Sequence, residues 1–166
     1  MGESLNQKSK PLIVEFVGLP GAGKTTVSQQ VALKLRERGL QIVFRDEILK
    51  QWHGENVLQK AIQLVPDNLN HWNILINSLT FALQVKPINQ QSFSKAAKIF
   101  TNVKRNDAVA RTKDCEIILL DQGLLQETWS VSITGSPPQT KYLKRSITPL
   151  FHNRSTIIIY CQLDID

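Results

Sequence analysis

The stretch Leu12-Ile13-Val14-Glu15-Phe16-Val17-Gly18-Leu19-Pro20-Gly21-Ala22-Gly23-Lys24-Thr25-Thr26 decides the architecture. Its first six residues, rich in β-branched and aromatic side chains, read as a strand from Leu12 to Val17. Gly18 to Thr25 then satisfies G-x-x-x-x-G-K-[ST] in full. Beyond the loop, Val27, Val31 and Leu35 recur at near-helical spacing with Ala32 between them, and Arg36, Arg38 and Gly39 supply cationic last-turn residues and a glycine stop. The order is strand, glycine loop, helix.

Each residue type in the loop has a physical task. Glycines at 18, 21 and 23 permit backbone conformations that turn consecutive N–H groups inward around a phosphate. The N-terminus of the following helix adds partial positive charge. Lys24 is expected to reach the β and γ phosphates of a nucleoside triphosphate, and the Thr25 hydroxyl to ligate Mg2+. Gly18, Leu19, Pro20, Gly21, Ala22, Gly23, Lys24, Thr25 and Thr26 are thus the expected phosphate-binding set.

Leu40 to Phe44 reads as a second strand ending at Arg45-Asp46-Glu47. Helical segments follow, broken at Pro66 and Pro87, in which Trp72, Leu75, Ile76, Leu79 and Leu83 form an apolar stripe expected to face the core. A longer helix is expected over Ser92–Arg111, with Phe93, Ala96, Ala97, Phe100 and Val103 on one face. Lys95, Lys98 and Arg105 fall opposite that face, toward solvent or a ligand cleft, whereas Lys104 and Arg111 flank it. Ile117 to Leu120 is an unbroken apolar run closed by Asp121-Gln122-Gly123, as suits a strand buried on both faces of a parallel sheet. Helices at 124–132 and 140–150, a loop at Gly135-Ser136-Pro137-Pro138 and a strand at 156–163 complete an α/β domain. Asp121, at the carboxyl end of its strand, stands where open α/β sheets bind ligands. It is expected to hold the metal together with Thr25.

A chain of 166 residues with 42% hydrophobic and 20% charged residues and a mean hydropathy of −0.17 excludes disorder and a multi-span membrane protein, and a single domain is the prior. The net charge of +6 is concentrated in residues 86–113, where seven Lys/Arg face one acid, Asp107, while the remainder balances. Such an excess suits an anionic ligand; a solvated helix face is the plain alternative. Only Phe93 and Phe100 interleave with those charges, both on the apolar face, so stacking on single strands is unsupported and nucleic acid is disfavoured. Cys115 and Cys161 form neither a disulfide framework nor a zinc site and read as buried thiols of a reducing, cytoplasmic setting. Glu15 interrupts the N-terminal apolar run, which makes a poor leader peptide, and Asn6 stands where a myristoylation motif wants Ser or Thr. His53, His71 and His152 show no triad or metal spacing and read as structural or surface residues. Trp52 and Trp129 lie shortly after strand ends, placed for a base pocket or for core packing, and Glu127 reads as an exposed helix residue.

The loop, the Asp121-Gln122-Gly123 step and the helical insert between the second and third strands resemble the P-loop kinase group, and within it thymidylate kinases and related nucleotide kinases. The resemblance implies a three-layer P-loop NTPase fold, with a parallel sheet of about four strands and helices on both faces. ATP and Mg2+ are the implied cofactors, and transfer of the γ-phosphoryl group to a nucleotide or other small acceptor is the implied reaction. Asp121 matches the Asp of the family's Asp-Arg pair, with Gln122 in place of the Arg. Arg45-Asp46 matches its Arg-Glu step, with Glu47 in place of the Pro. The family carries an acceptor-binding Arg on the helix before the third strand, where this chain offers Lys104, Arg105 and Arg111. Lys24, Asp121, Asp46 and Arg105 are therefore the catalytic candidates, Asp46 or Asp121 orienting the acceptor.

In such kinases a helix, an arginine-bearing lid and a fifth strand follow the fourth strand, whose end resembles Leu163-Asp164, whereas this sequence stops at Asp166. The expectation is a flexible arm over residues 1–10 and a nucleotide-binding domain over 11–166 without lid or fifth strand, its phosphoryl-stabilising cations drawn from Lys141, Lys144, Arg145 or Arg154. Expected partners are a nucleoside triphosphate and an anionic small-molecule acceptor, without a membrane; a homodimer is left open. The alternative is a nucleotide-binding ATPase or regulator, or a weak kinase homologue. Gln122 stands where many ATPases carry Glu, and no guanine-reading Asn-Lys-x-Asp string occurs.

Overall fold

The computed structural model describes residues 10–50, 65–112, 114–136, 140–151 and 154–162. Along the chain these form β1 (Leu12–Val17), α1 (Lys24–Glu37), β2 (Ile42–Phe44), α2 (Arg45–Lys50), α3 (Leu69–Gln84), α4 (Gln90–Thr112), β3 (Ile117–Leu120), α5 (Leu124–Ser132), α6 (Thr140–Phe151) and β4 (Thr156–Tyr160). The four strands make one parallel sheet in the order β2-β3-β1-β4. β1 lies inside it, with Leu12 opposite Ile117 on one side and Ile13 opposite Thr156 on the other.

Alternation along the strands divides the core into layers. Val14, Phe16, Ile117 and Leu119 turn toward α1, where Ala32 is buried and Val31 and Leu35 pack against them. Ile13, Val43, Ile118 and Leu120 turn the other way, toward Ile48 of α2 and Val109 of α4. A further cluster lies among the helices, joining Ile74 and Phe81 of α3, Phe100 and Val103 of α4, Val131 of α5 and Leu150 of α6. Helices on both faces of a parallel sheet are the three-layer α/β architecture expected from the sequence, and no described helix is long and apolar enough to cross a membrane.

Several expectations are corrected. The stripe on α3 faces the core only in part: Leu75 packs against the helical cluster, but Trp72, Ile76 and Leu83 are exposed, and the buried line is His71, Ile74, Ser78, Phe81 and Ala82. Asn70, Asn73, Asn77, Thr80 and Gln84 form one polar line on α3, and the apolar residues around the rest of the helix span more than the face it buries, so spacing does not choose which part turns inward. The choice falls to polar anchors: Asn68 accepts from the His71 amide at 2.9 Å, and the His71 ring turns inward to Asp107, with Nε2 3.0 Å from the carboxylate, edge-on to Phe100. β2 begins at Ile42 because the amide of Leu40 still bonds the Leu35 carbonyl in the turn leaving α1. Arg45-Asp46-Glu47 is the first turn of α2, where two acids suit the helix dipole. Lys95 is not solvent-facing, since its ammonium donates to the Ser130 carbonyl at 2.9 Å and ties α4 to α5. β4 is an edge strand with Ile157, Ile158 and Tyr160 exposed. Cys115 and Cys161 are buried free thiols, as expected.

Candidate functional site

β1 delivers the glycine loop to the carboxyl edge of the sheet. Gly21 and Gly23 take positive φ values of 82° and 73°, a conformation costly for other residues, and Gly23 caps α1. Lys24 folds back over the loop, its ammonium donating to the carbonyls of Gly18 and Leu19 at 2.7 Å each. Next along α1, the Thr25 hydroxyl donates to Asp121 Oδ2 at 3.1 Å, joining the end of β1 to the end of β3. Loop, lysine, threonine and aspartate thus converge at one edge of the sheet.

Asp121 Oδ1 is buried and, among the described residues, has no hydrogen-bond partner. The cation nearest to it is Arg45, at the start of α2, whose Nη1 lies 3.9 Å from Oδ1 and whose Nη2 lies 4.0 Å from Glu127 Oε1. A carboxylate oxygen without a donor, beside a threonine hydroxyl, is an all-oxygen donor pair of the kind a hard divalent cation takes. These residues fit Mg2+.

Glu127 corrects another expectation. Its side chain is only 14% exposed and faces Arg45, so burial raises its pKa, opposed by the charges of Arg45, Lys98 and Lys95. Gln126, its neighbour on α5, accepts from the Gly18 amide at 3.3 Å and so fixes the first glycine of the loop. Behind both sits Glu15, on the face of β1 away from α1. Glu15 is 1% exposed, and its Oε1 accepts from the Gln126 amide at 2.9 Å at the N-terminus of α5. Desolvation pushes its pKa up to about 7, restrained by hydrogen bonds from the amides of Gln126, Leu125 and Leu124. The carboxyl fits because residue 123 is glycine: a Cβ there would stand 2.2 Å from Glu15 Cδ.

The remaining candidates are less gathered. Asp46 is exposed on the first turn of α2. Arg105 is half-buried in a crevice of about 10 Å³ with Arg45, Asn102 and Gln122, room for a single water at most. Lys104 is held elsewhere, 2.9 Å from Asp67, whose pKa it lowers, and Arg111 is exposed. Arg154 is bound to Asp107 and Lys141 lies over the Tyr142 ring, while Lys144 and Arg145 are exposed. Trp129 borders a hollow of about 190 Å³ beside Gly18 and Leu19, together with Gln126 and Tyr160. Trp52, His53, His152 and Leu163-Asp164 lie outside the described residues, and no group of three or more His, Cys, Asp or Glu suited to a metal ion occurs among the described ones.

Sequence reasoning passed over Glu15, Gln126 and the partnership of Arg45 with Glu127. A charged residue inside an apolar strand was the visible signal at position 15. What it bonds comes from 111 residues away, and spacing along the chain does not carry that.

A scan against protein-family models finds no match. Among curated proteins, 116 residues of this chain are 25% identical to the uridine kinase of Latilactobacillus sakei subsp. sakei (strain 23K), covering 70% of the chain and 53% of that protein. The chain therefore spans about half the length of this curated relative. The similarity supports a kinase-like relationship and does not reach the thymidylate kinase branch.

Proposed function

We propose that the chain binds ATP and Mg2+ through the loop at 18–26 and transfers the γ-phosphoryl group to a nucleotide or other small acceptor, with residues 11–166 as the nucleotide-binding unit and the cytoplasm as its setting. The observation that carries this reading is the 3.1 Å hydrogen bond from Thr25 to Asp121, which brings a hydroxyl and a carboxylate 96 residues apart to the mouth of a glycine loop. Magnesium held by Thr25 and Asp121 would neutralise charge on the β and γ oxygens. Lys24 exchanges the neutral carbonyls of Gly18 and Leu19 for charged phosphate oxygens, which are stronger acceptors. Arg45, between Asp121 and Glu127, holds Asp121 in place and adds positive charge beside the transferring group.

In the step itself the acceptor oxygen bonds to the γ-phosphorus while the bond to the β–γ bridging oxygen breaks, and ADP leaves with that electron pair. For a hydroxyl acceptor the proton passes to Asp46 or to water. Arg105 serves an acceptor phosphate once the crevice beside Gln122 opens, and Trp129 and Tyr160 offer flat surfaces to a heterocycle. Uridine, named by the relative, heads the list of acceptors to test, with nucleoside monophosphates after it. The alternative, a nucleotide-gated regulator or ATPase, is disfavoured as an ATPase by Gln122, which cannot take a proton from water.

Expected in a coupled assay with Mg-ATP is ADP formation that depends on one acceptor and falls about 100-fold or more in Lys24→Ala. In Asp121→Asn the activity should require higher magnesium. Lys24→Ala protein that bound ATP as tightly as the parent would overturn the reading. ATP binding without transfer to any acceptor would favour the regulator.

A further inference from the structure

A cavity of about 490 Å³ lies away from the phosphate loop. It opens where β1 begins, at Pro11 and Ile13, whereas the loop leaves the far end of that strand, roughly 20 Å off at the rise of an extended chain. Its walls are the first turn of α3 and the last turns of α4, and Ile13 and Ile118 form an apolar floor. Polar side chains stand above that floor. Asn70, Asn73 and Asn106 present amides, and the charged lining has three cations, Lys10, Arg111 and Arg154, to one carboxylate, Asp107.

Two observations distinguish this cavity from a packing fault. Asn106 is 95% withdrawn from solvent (5% exposed), lines the cavity, and among the described residues makes no side-chain hydrogen bond. A largely buried amide set in a cavity wall can give both a donor and an acceptor to a molecule held there. The walls are also built. Asp107 is gripped by Arg154 Nη2 at 2.8 and 2.9 Å and lies 3.0 Å from His71 Nε2, while Arg111 Nε donates to the Asp107 carbonyl at 3.2 Å. Arg154 and Asp107 neutralise one another, and Arg111, whose Nε bonds a neutral carbonyl, contributes positive charge to the lining.

We propose that this cavity is a second small-molecule site, for a heterocycle that carries a carboxylate or phosphate and is no larger than a nucleoside monophosphate. Carboxamides pair with the donor–acceptor edge of a heterocycle, the Ile13–Ile118 floor takes its flat face, and Arg111 takes the anion. The site is independent of the phosphate loop and stands whether or not the chain transfers phosphate.

The test is calorimetric titration of the full chain with three probes, UMP, AMP and orotate, which differ in ring and in anion. Each is run on the parent, Lys24→Ala, Asn106→Leu and Arg111→Ala. At least one probe is expected to bind with one-to-one stoichiometry, to keep its affinity in Lys24→Ala, and to weaken about tenfold or more in Asn106→Leu and in Arg111→Ala. Arg111 is exposed, so its variant keeps the fold even where Asn106→Leu does not. A nucleotide-only response marks a phosphate site and an orotate response a carboxylate site, both within the proposal. Failure of all three probes at millimolar concentration overturns it, as does binding that disappears in Lys24→Ala while surviving in Arg111→Ala.

Discussion

Glu15 shows what one residue can set. Its carboxyl group is buried in the middle of a strand, and its pKa rises from 4.5 to about 7, so the folded chain holds this proton more tightly than the unfolded one. The sign follows from linkage: the stability this group contributes is fully present below pH 4.5 and is lost as pH rises through 7. A shift of that size corresponds to roughly 3 kcal/mol. Gln has the same shape and does not ionise. Thermal unfolding of Glu15→Gln is therefore expected to show a higher Tm than the parent near pH 8.5, and the gap is expected to close near pH 5. An equal difference at both pH values would mean that Glu15 acts only through its hydrogen bond to α5.

At the scale of elements, α3 separates periodicity from orientation. Its inward line is His71, Ile74, Ser78 and Phe81, and its outward line includes Trp72 and Ile76. Phe81→Ala, within the helical cluster, is expected to cost about 3–5 kcal/mol in denaturant unfolding, whereas Ile76→Gln stays within about 0.5 kcal/mol. Reversed costs would restore the face read from spacing. α4 was legible by the same method because polar residues break its apolar spacing. Phe100 and Val103 are buried as expected, and only the neighbours of its lysines were missed. The strands were legible too, since β3 is apolar throughout and buried throughout.

Over the whole molecule, the contacts that matter join distant segments. Asp107 on α4 binds Arg154 before β4 and His71 on α3, so one carboxylate fastens three parts of the chain. Arg154 is only 9% exposed, and removing its partner leaves a nearly buried charge without compensation. Asp107→Ala is expected to lower unfolding stability by about 3 kcal/mol, a loss that Asp107→Glu partly restores. A loss below about 0.5 kcal/mol in Asp107→Ala would show that this junction holds nothing together.

The sequence by itself determined the order of strands and helices, the glycine loop with Lys24 and Thr25, and the place of Asp121 after a buried strand. These are local properties: backbone freedom at glycine, hydrophobic period and residue type act over a few positions. Tertiary structure alone decided that Asp121 meets Thr25, that Arg45 stands between Asp121 and Glu127, that Glu15 supports the start of α5, and that a polar cavity opens at the other end of β1. Each of these depends on which surfaces the parallel sheet and the helical cluster bring within a few ångströms, and burial then changes the chemistry of the groups enclosed. Glu15 interrupts an apolar run in the sequence; in the fold it is a buried carboxyl group with a pKa of about 7.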